Sequence, residues 1–217
     1  MNVYFISGLG ADKRVFSNLS FPAHFQIKHI NWIEPLERES IADYAKRLSS
    51  QIDQNQPFNL VGLSFGGIIL TELLKIINPQ KAVLISSIKT HTELPLLLRF
   101  AGKLRLHKII PTPMLKSANW FSFKLFGLQS LEERQLFKDI LSDTSTNFMR
   151  WAIDKVLTWQ HESPSKDIIH IHGTSDLILP YQSASADFTI KKGGHFMVFN
   201  KHEEITTILT EILTNNS

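Results

Sequence analysis

The chain has 217 residues, 43% hydrophobic and 20% charged, which suits one soluble domain with a full core. Its net charge of +3 is mild and its Lys and Arg gather into no arm or run, so nucleic-acid binding is not expected. With no cysteine, disulfides, thiolate metal sites and a cysteine nucleophile are excluded.

Val3 to Ile6 reads as a short apolar strand, broken by Ser7-Gly8-Leu9-Gly10-Ala11-Asp12. The opening residues carry no basic leader or small-residue cleavage site, and no apolar stretch is long enough to span a bilayer. A cytoplasmic protein without an integral membrane segment is the resulting expectation. Val15, Phe16 and Leu19 suggest a short helix or turn, and Gln26 to Trp32 a second, weaker strand. From Ser40 to Gln54, Ile41, Tyr44, Ala45, Leu48 and Ile52 recur at helical spacing. Ser40 can cap this helix, with Asp43 as an acidic variant of the capping box.

Phe58 to Leu63 reads as a buried strand, and Ile68 to Ile77 as a mostly buried helix stopped by Asn78-Pro79. Between them lies Gly62-Leu63-Ser64-Phe65-Gly66, a G-x-S-x-G pattern in the strand–turn–helix context the motif requires. Turning that sharply forces strained dihedrals on the apex residue, and the flanking glycines remove Cβ atoms that would collide. Ser64 is thereby a candidate nucleophile, where the bland alternative is an incidental serine in a glycine-rich turn.

Ala82 to Ser86 is a fourth strand, Ile168 to Ile171 a fifth and Asp187 to Lys191 a sixth, weaker one. Glu203 to Leu213 closes the chain as an amphipathic helix. Alternating strands and helices imply an α/β fold with a mainly parallel sheet, whose ligands sit beyond the carboxyl ends of the strands. Residues 89–164 break the alternation: they show helical patterns at 94–106, 131–141 and 147–159 and hold three of the four tryptophans. They read as a helical cap inserted after the fourth strand, with 1–88 and 165–217 as the core. Arg99, Lys103, Arg105, His107, Lys108 and Lys116 give this cap a basic stretch, which fits an anionic substrate, a membrane surface or, more simply, a solvated helix face.

Two loops supply partners for Ser64. Asp176 follows the fifth strand, where a carboxylate could accept the Nδ1–H of a histidine, though it fits an Asx-turn before Pro180 equally well. His195 follows Gly193-Gly194 and completes the chain order Ser…Asp…His. His170 and His172 alternate on one strand face and fit packed or hydrogen-bonded residues better than metal ligands, since no third ligand is near in sequence. Gly8-x-Gly10 lacks a third glycine, which leaves nucleotide binding without support.

Together these stretches resemble serine-dependent α/β-hydrolases. Gly62 to Gly66 matches the nucleophile elbow, Gly173-Thr174-Ser175-Asp176-x-x-x-Pro180 the acid loop and Gly194-His195-Phe196 the histidine loop. Ser7-Gly8-Leu9-Gly10 resembles the oxyanion loop, which usually begins His-Gly, so Ser7 is a departure. The resemblance implies an α/β-hydrolase fold shortened to about six mainly parallel strands, because the chain begins at the equivalent of the third strand. It implies Ser64, His195 and Asp176 as catalytic triad and the Leu9 and Phe65 N–H groups as oxyanion hole. The expected function is hydrolysis of a small-molecule ester or thioester, with no metal or organic cofactor. Carbon–carbon bond hydrolysis, a lyase-like step, and a binding protein that keeps the fold without turnover are the alternatives. Serine at position 64 disfavours relatives with an aspartate nucleophile, and substrate identity and oligomeric state stay open.

Overall fold

The computed structural model describes residues 1–163 and 167–214. Its strands are β1 (Asn2–Ile6), β2 (Gln26–Ile30), β3 (Phe58–Leu63), β4 (Ala82–Ile85), β5 (Ile168–Gly173) and β6 (Phe188–Ile190). They form one sheet in the order β2-β1-β3-β4-β5-β6, and every pairing is parallel. The two strands with the weakest hydrophobic pattern, β2 and β6, lie at the two edges and are only partly buried. Central β3 and β4 are buried throughout, which is why they read as continuous apolar runs.

Side chains alternate across this sheet and build two cores. Val3, Phe5, Val61, Leu63, Val83, Ile85 and Ile171 face one layer, which includes Ile205, Leu209 and Ile212 of the last helix, α9 (His202–Thr214). Tyr4, Ile6, Leu60, Leu84 and Ile168 face the other, with Tyr44 and Leu48 of α1 (Ile41–Leu48) and most of α2 (Phe65–Leu73). Every residue of α2 is buried, so the helix is apolar all round. It stops at Leu73, four residues short of the expected end. The Ile76 and Ile77 N–H groups both converge on the Leu73 carbonyl, closing the helix as a tight turn before Asn78-Pro79.

Ser40 caps α1 through its Oγ, which accepts the Asp43 N–H at 3.1 Å. The box is not reciprocal: the Ser40 hydroxyl donates to the Asp43 carboxylate at 2.6 Å. Aspartate is one methylene shorter than the glutamate that normally reaches back to the cap N–H. Replacing Ser40 with alanine is expected to cost about 1 kcal/mol, read from urea unfolding.

The segment between β4 and β5 contains helices and no strand among the described residues. Three helices match the expected positions: α3 (Leu96–Lys103), α6 (Leu131–Asp143) and α7 (Thr146–Thr158). Two short ones were not anticipated, α4 (Thr112–Leu115) and α5 (Trp120–Phe126), and a further turn, α8 (Met197–Asn200), follows the His195 loop. The expected boundary at 164/165 lies outside the described residues. No helix among the described residues is long and apolar enough to cross a membrane.

Candidate active site

The parallel sheet brings the loops after β1, β3, β5 and β6 to one edge, beyond the strands' carboxyl ends. Ser64 sits there at the β3–α2 turn with φ 52° and ψ −118°, a conformation that side chains with a Cβ rarely adopt. The surroundings hold it. The Ser64 N–H donates to the Ile85 carbonyl at 2.9 Å, and its own carbonyl accepts the Gly67 N–H at 2.9 Å and the Ser87 hydroxyl at 2.7 Å. A Cβ on Gly62 would lie 2.6 Å from the Gly66 carbonyl oxygen, and one on Gly66 would strike the Ile6 and Ser7 carbonyls. The two glycines of the motif are thus demanded by close backbone approach.

His195 Nε2 lies 2.9 Å from Ser64 Oγ, and its Nδ1 lies 2.7 Å from Asp176 Oδ2. Both residues are buried, Asp176 at 4% exposure and His195 at 6%. Burial alone would raise the Asp176 pKa. Attraction to His195, with hydrogen bonds from His195 and the Leu179 N–H, outweighs it and holds the carboxyl below its ordinary range. An ionised carboxylate can only accept, so His195 Nδ1–H donates to Asp176, and the Nε2 lone pair is left for the Ser64 hydroxyl.

Asp176 makes the contacts of both readings at once. Its Oδ1 closes an Asx-turn by accepting the Ile178 and Leu179 N–H groups, each at 2.9 Å, while Oδ2 meets His195. The turn fixes the carboxylate that the histidine needs.

Among the described residues, the backbone N–H groups of Leu9 and Phe65 have no acceptor. Phe65 opens α2, where a free N–H is intrinsic to the helix end. Gly8, Leu9, Ser64 and His195 line a cavity of about 40 Å³ together with Phe126, Phe137 and Ile140 from the helical segment. The Phe126 ring stands edge-on to His195 at 5.5 Å. A larger cavity of about 600 Å³ lies elsewhere, between α3 and the end of α7. Volume would favour the larger one, but only the smaller holds a serine bonded to a buried histidine and carboxylate.

Several supports were not visible in the sequence. Ser7 Oγ donates to the Ala11 carbonyl at 2.8 Å, and Trp32 Nε1 donates to the same oxygen at 2.9 Å, so the Leu9 loop is braced from two sides. Gly194 packs against Gly127 at the end of α5, and the Phe196 N–H donates to the Phe126 carbonyl at 3.0 Å. That bond ties the His195 loop to α5. Apart from the Ser7–Ala11 bond, these contacts join residues distant in sequence, and no local pattern announces them.

His170 and His172 are fully buried behind Asp176. His172 Nε2 lies 2.8 Å from the Leu179 carbonyl, which only accepts, so Nε2 carries the proton and Nδ1 accepts from His170 Nε2 at 3.0 Å. Among the described residues no group of three potential ligands is placed to hold a metal. The pair instead anchors Leu179, whose N–H is bonded to Asp176. Replacing His172 with phenylalanine is expected to loosen the Asp176 carboxylate and, if Ser64, His195 and Asp176 act on a substrate together, to lower kcat roughly ten- to a hundredfold with little change in KM. Steady-state kinetics on the folded variant read this directly.

Burial, reinforced by His172 and Lys89, pushes His170 down to about 3, and burial lowers His172 as well. Both are therefore neutral when folded but take up protons when unfolded, from about pH 6.5 downward. The unfolded state then binds more protons, so stability falls as pH drops from about 6.5 toward 3. Urea unfolding at pH 7 and pH 5 should differ by about 1–3 kcal/mol, with a smaller difference in a His170→Asn variant that stays folded. The comparison with the variant isolates His170 from His29 and His161, which burial also depresses.

No protein-family model and no curated protein sequence matches this chain. Solved structures do. A thermophilic esterase from Thermogutta terrifontis superposes with TM-score 0.69 at 14% identity, over 98% of this chain and 89% of its own. An esterase from Exiguobacterium antarcticum gives 0.68 at 16%, over 99% and 92%. A meta-cleavage product hydrolase from Pseudomonas fluorescens IP01 gives 0.66 at 14%, over 98% and 90%.

Proposed function

With the α/β-hydrolase fold that this chain has as the premise, we propose that it is a serine hydrolase cleaving a small-molecule carboxylic ester or thioester. The observation that carries the reading is the continuous hydrogen-bond chain from Ser64 Oγ through His195 to Asp176, at 2.9 and 2.7 Å, beside two N–H groups that have no acceptor among the described residues. In this reading His195 Nε2 takes the Ser64 proton as Oγ attacks the acyl carbon. The Leu9 and Phe65 N–H groups hold the negative charge that develops on the carbonyl oxygen. His195 returns the proton to the leaving alkoxide or thiolate as its bond to the acyl carbon breaks. Water then attacks the acyl-enzyme, giving its proton to His195, and the carboxylic acid and Ser64 hydroxyl are regenerated. No step calls on a metal or organic cofactor.

Residues 89–164 act as the cap over this site, with Phe126 of α5 and Phe137 and Ile140 of α6 lining the cavity. The 40 Å³ cavity has room for little more than a water or a methyl group, so Phe126 sets the acyl length accepted. A panel of p-nitrophenyl esters and matched thioesters of increasing chain length tests the assignment. Wild type is expected to prefer the shortest acyl groups, and Phe126→Ala to raise kcat/KM for longer ones about tenfold. Equal turnover of all lengths by both proteins would remove Phe126 from this role, and no turnover of any would count against the hydrolase itself.

The small cavity also favours a second reading, a binding protein that keeps the fold without turnover. An activated Ser64 distinguishes the two.

A further inference from the structure

Helix α3 is turned inside out relative to an ordinary surface helix. Such helices place their apolar stripe against the core. Here Leu98 packs against the core, and Gly102 is buried so tightly that a Cβ would strike the Leu157 carbonyl of α7. Leu96, Leu97, Phe100 and Leu104 occupy the opposite arc, about 100° wide at 3.6 residues per turn. The apolar surface continues through the 3-10 turn at Leu106–Ile109. Leu96, Leu97, Phe100, Leu104, Leu106 and Ile109 are between 46% and 80% exposed. Six exposed large apolar residues within fourteen positions are not the scattered singles of a normal surface.

The charge along this stretch of chain has one sign. From Leu94 to Leu131 there is no Asp or Glu, while Arg99, Lys103, Arg105, Lys108, Lys116 and Lys124 are all present. Arg99, Lys103 and Arg105 form no ion pair among the described residues, and they line the 600 Å³ cavity together with Leu96 and Phe100. Lys108 stands 4.0 Å from Asp154, and buried His107 bonds Asp154 at 2.9 Å, so His107 does not belong to the basic surface. A merely solvated helix face would carry the cations without the outward leucines. An acidic soluble partner would account for the cations but not for an apolar stripe along the crest.

We propose that α3 and the following turn form a docking face for an anionic lipid bilayer. The outward leucines and Phe100 enter the boundary between headgroups and acyl chains, while Arg99, Lys103 and Arg105 meet the phosphates. The face is separate from Ser64, and the proposal holds whether or not Ser64 turns over an ester.

Vesicle flotation tests it, comparing equimolar phosphatidylglycerol and phosphatidylcholine with phosphatidylcholine alone. Wild type and Ser64→Ala are expected to float with the anionic vesicles, less so as salt rises, and not with the neutral ones. Lys103→Gln should weaken partitioning about fivefold, the equivalent of about 1 kcal/mol per charge near an anionic surface. The double change Leu97→Asp and Phe100→Asp should abolish flotation. Both side chains are exposed, so the circular dichroism and melting curve should stay those of the wild type. Absence of flotation by folded wild type, or flotation that neither variant weakens, overturns the proposal. So does a dimer in sedimentation velocity that Phe100→Asp dissolves, which would place a second copy on this face.

Discussion

Ser64→Ala should lower kcat by about 10⁶ while leaving the fold intact, since removing the nucleophile alone costs about as much as removing a whole triad that acts as a unit. The substitution deletes one oxygen, whose single partner among the described residues is His195 Nε2. Alanine keeps the Cβ at the same strained apex, and the contacts that hold the turn are made by the Ser64 backbone, to Ile85, Gly67 and Ser87. Urea unfolding should therefore shift by no more than about 1 kcal/mol. Steady-state hydrolysis of a short-chain ester measures the loss. A variant that retains activity within about tenfold of wild type would mean that another group attacks the substrate, and the proposed role of Ser64 would fail.

Asp176→Asn should lower kcat by about 10⁴, and the Asx-turn explains why so small a change is so costly. Asparagine has one oxygen and one NH₂ group. The Ile178 and Leu179 N–H groups both need an acceptor at the Oδ1 position, so the asparagine oxygen stays there. Its NH₂ group then faces His195 Nδ1, where Oδ2 stood 2.7 Å away. A donor at that position requires an unprotonated Nδ1, which moves the ring proton to Nε2. His195 then has no lone pair for the Ser64 hydroxyl. KM should change little, because the Asp176 side chain is fully buried and does not line the cavity at Ser64. If kcat stays near wild type, another carboxylate orients His195 and the proposed role of Asp176 is wrong.

The sheet was largely legible in the sequence, because parallel strands buried on both faces read as apolar runs with little else to imitate them. Phe58 to Leu63 is the clearest case. The edge strands were fainter for the same reason: β2 and β6 bury only part of their surface. Ser64 was legible because Gly62 and Gly66 are demanded by backbone contacts that only a strand–helix elbow makes. Asp176 was found from its loop after a strand and His195 by chain order. The bond expected between them is there at 2.7 Å, and it depends on β5 and β6 being neighbours.

What stayed hidden is tertiary. Nothing near Trp32 in the sequence indicates that its indole braces the Leu9 loop, and nothing near Ser87 indicates that it holds the Ser64 carbonyl. Helix α5 is short and rich in Phe, without the periodicity that betrays longer helices. Its capping box from Asn119 to Ser122 uses the weaker Asn/Ser pair of residues. The box from Ser130 to Glu133 has the ordinary signature and could have been found. His107 entered the sequence reading as one of the cap's basic residues, but burial against Asp154 removes it from the surface.

The most direct test of the account is labelling with a fluorophosphonate, which phosphonylates only an activated serine, followed by mass spectrometry of the modified peptide. Wild type should be labelled at Ser64 alone, and Ser64→Ala and His195→Ala should not be labelled at all. A folded wild type that resists the probe, or a His195→Ala variant labelled as fast as wild type, would contradict a Ser64 activated by His195.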